Sequence, residues 1–130
     1  MSLKEFLYSW QKLEWDKLEN LLDENCEIEM AWLGMKFNKD EYFQLLKTVT
    51  EEHPWTTNKD IIDEINFENH TITTFFTQWP SDEPPDFEVW LTEWSDTLIV
   101  KSTTYNCREY DMNLSKNWIK SFQKDQVRLH

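Results

Sequence analysis

The chain contains a single glycine, Gly34, among 130 residues. Loops that cradle phosphate need the close backbone approach that glycine allows, so one glycine argues against nucleotide or dinucleotide binding of the Gly-rich kind. Its two cysteines, Cys26 and Cys107, are too few for a disulfide framework and lack metal-ligand spacing. They read as free thiols in a reducing compartment, and the expected location is the cytoplasm. The histidines His53, His70 and His130 form no HxxxH pattern, so no metal is expected. Basic residues are scarce as well: 13 Lys/Arg face 25 Asp/Glu, for a net charge of −12. An acidic body repels phosphate backbones and anionic membranes, and neither nucleic acid nor a membrane is expected as a partner. No apolar run approaches the ~20 residues of a membrane helix. The opening MSLKEFLYSW carries charges within its apolar pattern, which suits an amphipathic helix rather than a leader.

Large rings are abundant. Aromatic residues make up 15% of the chain, with eight Trp and eight Phe, and hydrophobic residues 39%, enough for a folded core. At this length one domain buries roughly two thirds of its unfolded surface. The acidity is confined to residues 1–110, which hold 9 Lys/Arg against 23 Asp/Glu, whereas residues 111–130 hold 4 against 2. We therefore expect a domain over 1–110, followed by an amphipathic C-terminal helix over 111–130 that carries Leu114, Trp118, Ile119 and Phe122 on one face.

Hydrophobic spacing divides the rest. Leu3, Phe6, Leu7, Trp10 and Leu13 recur at helical intervals, and Trp15, Leu18, Leu21 and Leu22 repeat the pattern in WDKLENLL. CEIEMAWLGMKF alternates as a strand does, with Ile28, Met30 and Trp32 on one side. Asn38 with Glu41 forms a capping-box pattern ahead of Tyr42, Leu45, Leu46 and Val49, a third helix. KDIIDEINF, TITTFFTQW, FEVWLTEW and TLIVKSTTYN then read as four strands. Asn69-His70 and Ser95-Asp96 are the expected two-residue hairpin loops, and the prolines of PSDEPPD make it a longer loop whose carboxylates are solvated.

This order over residues 1 to about 107, together with WDKLENLLDENCEIEM, where a helix runs through paired Leu into a short acidic turn and an alternating strand, resembles the nuclear transport factor 2-like superfamily. That superfamily includes SnoaL-like polyketide cyclases, ketosteroid isomerase and scytalone dehydratase. The resemblance implies an α+β fold in which a cone-shaped, curved antiparallel sheet wraps around N-terminal helices. It also implies a pocket at the wide end and dimerisation through the outer sheet face. Laid on this chain, the isomerase's Tyr position falls on Phe6, its Asp base on Met30, and its third carboxyl near Glu88. Phe and Met cannot serve those roles, so the ketosteroid isomerase catalytic set is missing. The dehydratase's paired histidines are missing too.

The expected hairpin registers sort the strands by face. Ile61, Asp63, Ile65, Phe67, Ile72, Thr74, Phe76, Gln78, Phe87, Val89 and Leu91 fall together and are read as the core face. Ile62, Glu64, Phe75, Trp79, Glu88, Trp90, Trp94, Ile99, Lys101 and Tyr105 fall on the other, which is read as the surface of a homodimer, with Lys101 over the Trp90 ring. Alternation thus turns Glu88 outward, whereas the isomerase register turns it inward.

On the core face Asp63 is the polar exception, and a carboxylate among isoleucines must protonate, hydrate or find a partner. A pocket lined by Met30, Trp32, Asp63, Phe76 and Gln78 is expected to take an apolar small molecule, with Asp63 as the acid or base of any cofactor-free proton transfer. No cofactor is implied. The alternative is a non-catalytic dimerising module that binds a protein partner.

Overall fold

The computed structural model describes residues 1–107 apart from 32, 79 and 81–84. The C-terminal helix expected over 111–130, like Trp32 and Trp79, lies outside the described residues. Helices α1 (Lys4–Gln11) and α2 (Trp15–Leu21) lead into strand β1 (Leu22–Met30), a short β2 (Met35–Phe37) and helix α3 (Lys39–Glu52). A 3-10 turn (Pro54–Thr57) then precedes β3 (Lys59–Phe67), β4 (His70–Thr77), β5 (Asp86–Ser95) and β6 (Leu98–Cys107).

Each helix follows its pattern. Leu3, Phe6, Leu7 and Trp10 bury one side of α1, while Tyr8 between them stays exposed. Leu13 takes a left-handed φ of 59°, which breaks the helical path and lets α2 start in a new direction; its side chain is exposed rather than packed. Helix α3 begins on a complete capping box. Asn38 Oδ1 accepts from the Glu41 N–H at 2.9 Å, and Glu41 Oε1 accepts from the Asn38 N–H at 3.1 Å, so two donors at the helix start are satisfied reciprocally. Gly34, at φ 65°, makes the turn between β1 and β2.

The six strands form one sheet in the order β2-β1-β6-β5-β4-β3. The fold is α+β as expected, but the sheet is mixed: β1 runs parallel to β6, with Ile28 opposite Ser102 and Met30 opposite Thr104. Parallel neighbours need a long crossover, and everything from β2 to β5 lies between these two in the chain.

The hairpin turns sit one residue earlier or later than expected. Phe67 pairs with His70 across Glu68-Asn69, and Ser95 pairs with Leu98 across Asp96-Thr97. Glu68 and Asp96 take left-handed φ values of 54° and 58°, the conformation tight two-residue turns demand. Bulges between Ile61 and Asp63 and between Glu93 and Trp94 then offset the register further up each hairpin.

The two faces are reversed relative to the expectation from alternation. Phe75, Trp90, Trp94 and Ile99 point toward the helices and belong to one cluster with Phe6, Trp10, Leu18, Tyr42 and Leu46. The Trp90 ring packs on Phe6 at 5.8 Å and edge-on to Phe75 at 5.3 Å. Asp63, Ile65, Ile72, Phe76, Phe87, Val89 and Leu91 face outward, as the pairs Asp63 with Thr74, Ile65 with Ile72 and Phe76 with Phe87 require. Sheet parity grouped these residues correctly, but both groups are apolar and parity cannot say which one meets the helices.

Side-chain size and two fastened carboxylates explain the outcome. The inner face alternates large rings with Thr71, Thr73, Thr77, Thr92 and Thr104, all buried, and these small side chains leave room for α1 and α3. Glu64 Oε2 accepts from the Leu3 N–H at 3.0 Å and from the Thr73 hydroxyl at 2.9 Å, fastening the start of α1 to β3. On the outer face Ile72 and Val89 are 2% and 1% exposed, with no helix over them among the described residues. The bulges account for the exceptions. They carry Ile61 inward against the core and turn Lys101 and Tyr105 outward, opposite Glu93 and Val89 in the register, so that Lys101 does not lie over Trp90.

Candidate functional site

Between α1, α3 and the inner face lies a cavity of about 370 Å³, of a size that small-molecule sites have. Its walls are apolar: Trp10 from α1, Met30 from β1, Tyr42, Leu46 and Val49 from α3, and Trp90 from β5. The Trp10 indole N–H donates to the Thr50 hydroxyl at 2.8 Å, which fixes that ring between α1 and α3.

An ion pair stands in this apolar setting. Lys59, the first residue of β3, reaches Glu88 of β5 with Nζ 2.7 Å from Oε2, and donates to the Thr77 hydroxyl at 2.8 Å. The same ammonium lies 5.0 Å from the Trp10 ring centre and 5.1 Å from that of Phe75. Its side chain is 5% exposed and that of Glu88 18%. Two hydrogen bonds and two ring faces therefore occupy the cation. The carboxylate is used on one side only, since Glu88 Oε1 has no hydrogen-bond partner among the described residues.

Thr56, Asp86, Thr104 and Asn106 also line the wall, and Tyr42 supplies a polar group from α3. Burial pushes its phenol well above the ordinary range, and the nearby Glu88 charge, then Cys26, push it the same way, so it remains a neutral donor. Cys26 is buried and free, and burial raises its thiol too, which disfavours the nucleophilic thiolate. Among the described residues no group of three or more His, Cys, Asp or Glu could hold a metal, and no helix is long and apolar enough to cross a membrane.

Of the residues expected to form a pocket, Met30 lines this cavity. The others are not brought to it. Asp63 stands opposite Thr74 on the outer face, and Phe76 packs there against Phe87 with ring centres 6.2 Å apart. Gln78 is exposed and donates to Asp60 Oδ2 at 3.0 Å. Trp32 is outside the described residues. Asp63 is thus no acid or base of the cavity, because the bulge after Ile61 sends the two residues to opposite faces.

Lys59, Glu88, Tyr42 and Trp10 were not expected at a site. Two signals pointed to them. Lys59 is the single Lys or Arg between residues 48 and 100, placed at the head of an apolar strand. The register implied by the superfamily resemblance turned Glu88 inward, as found.

No protein-family model and no curated protein matches the chain. Solved structures do. A candidate ketosteroid isomerase from Kribbella flavida superposes with a TM-score of 0.68 at 14% identity, over 83% of this chain and 76% of that one. A nuclear transport factor 2-like protein of unknown function from Mesorhizobium loti gives 0.66 at 20% identity, over 81% and 87%. A candidate SnoaL-like polyketide cyclase from Shewanella putrefaciens gives 0.62 at 7% identity, over 78% and 75%. At such identities the likeness establishes the fold, and the chain has the nuclear transport factor 2-like cone fold.

Proposed function

We propose that this protein binds a small apolar molecule in the cone cavity, over the Lys59–Glu88 pair. The observation that carries the reading is a cavity whose walls are rings and aliphatic side chains, with one polar cluster inside it. A largely apolar site with few placed polar groups is the usual form of a small-molecule pocket. The fold likeness to SnoaL-like and isomerase-like proteins supports the same assignment. Glu88 is the group placed to exchange a proton with a ligand, and it replaces Asp63 as the residue to test for cofactor-free chemistry.

Thermal unfolding with a panel of one- and two-ring apolar compounds tests this. A ligand at about ten times its Kd stabilises by about 1.4 kcal/mol, a Tm rise on the order of 5 °C in a domain of this size. Val49→Phe fills the cavity from α3 and should abolish the response while leaving the fold intact. A wild type indifferent to the whole panel contradicts the proposal.

A second reading, a dimerising module, draws support from the outer face. Phe76, Phe87, Ile65 and Leu91 lie together there, partly exposed, with no described element across them. The dimer surface is thus proposed on these residues and not on Trp90 and Trp94, which are core. Sedimentation should show a dimer that Leu91→Lys dissociates, and a monomeric wild type at micromolar concentration counts against it.

A further inference from the structure

The polar cluster in the cavity is asymmetric in what it leaves open. Lys59 has its charge matched by Glu88, donates to Glu88 and Thr77, and lies against two aromatic faces. An anionic ligand would find no vacant cation among the described residues of the wall, and it would meet Glu88 as a like charge. Glu88 Oε1 remains as an acceptor and the Tyr42 hydroxyl on the facing helix as a donor, with Asp86 and Asn106 in the same wall. Both line the same cavity.

We propose that the ligand is an uncharged apolar molecule bearing a hydroxyl group, a phenol or cyclic alcohol, which donates to Glu88 Oε1 and accepts from Tyr42. A hydroxyl is the small group that offers both a donor and an acceptor at one atom. A ketone or ether lacks the donor, a carboxylate brings the wrong charge, and a hydrocarbon leaves Glu88 Oε1 unpaired once water is displaced. This rests on the reading that the cavity binds a small molecule. It goes further in naming the functional group and the two residues that select it. Glu88 and Tyr42 need opposite partners, and the wide apolar wall sets the size of the body rather than its detail.

Matched series separate this inference from the reading beneath it. 5-Indanol, 5-methylindane and indane-5-carboxylate share one skeleton; 2-naphthol, 2-methylnaphthalene and 2-naphthoate share another. Calorimetric titration of the wild type should give the alcohol about tenfold or more tighter than the methyl compound, with the carboxylate weakest. Tyr42→Phe should shrink the alcohol's lead several-fold. Glu88→Gln leaves Lys59 without its counter-charge and should reverse the order in favour of the carboxylate. Should that variant unfold, the double variant Lys59→Met with Glu88→Leu removes both charges and should bind alcohol and methyl compound equally. Binding of a series without preference for the alcohol, or with the carboxylate tightest in the wild type, overturns the inference but leaves the cavity reading standing. Binding by no member of either series overturns both.

Discussion

The inner and outer faces of the sheet are both apolar, yet they do opposite work. On the inner face Trp90, Trp94 and Phe75 alternate with buried threonines, and Glu64 and the Lys59–Glu88 pair are held by hydrogen bonds. On the outer face Ile65, Ile72, Val89 and Leu91 are of similar size, with no helix over them among the described residues. Hydrophobic content does not distinguish the face that receives α1 and α3 from the other. Variation in side-chain size does, together with the fastened carboxylates Glu64 and Glu88, because helices need recesses and a buried charge needs a partner.

The largest test of that difference is to remove one ring from each face. Trp90→Ala should cost about 4 to 5 kcal/mol, since the ring is enclosed by Phe6 and Phe75. Phe87→Ala, at a half-buried outer position, should cost well under half of that, as read from urea midpoints. Next come the ion pairs. Lys59→Met alone strands a buried carboxylate and should cost about 3 kcal/mol, while adding Glu88→Leu should recover most of the loss. Glu93→Leu, which removes the exposed partner of His70 on the outer face, should change stability by less than about 1 kcal/mol.

Two threonines sharpen the point with opposite signs. Thr92 Oγ1 is buried and lacks a hydrogen-bond partner among the described residues, so Thr92→Val should stabilise by about 1 kcal/mol. Thr73 holds Glu64, and Thr73→Val should destabilise by about as much. The smallest effect concerns pH. The Tyr42 phenol titrates above its ordinary value in the folded protein, so its contribution is whole below about pH 10 and is lost as the pH rises past that. Tyr42→Phe should flatten the alkaline limb of the stability curve.

Much of the frame was legible from local rules. The apolar stripe of α1, the Asn38–Glu41 capping box and the strand segments follow from spacing and side-chain chemistry within a few residues. The grouping of outer-face residues was legible too, because side-chain parity survives a shift of register by two. Which face was inside was not, since that depends on where α1 and α3 dock. Nor were the bulges at Ile61 and Glu93, each a single extra residue in a strand that otherwise alternates. The site inherited both difficulties: Asp63 looked buried on an isoleucine-rich face, whereas alternation turned Glu88 outward. A partner 29 positions away, Lys59, is what makes Glu88 a cavity residue, and no local pattern announces such a pair.

The most direct test follows the eight tryptophan indole signals and the backbone amides in a ¹H–¹⁵N spectrum during titration with 5-indanol. The account predicts that the indole signals of Trp10 and Trp90 and the amides of Tyr42, Lys59 and Glu88 move together, with the outer-face amides of Phe76, Phe87 and Leu91 still. Shifts confined to the outer face, or a saturated complex in which the Trp10 and Trp90 signals stay in place, would contradict it.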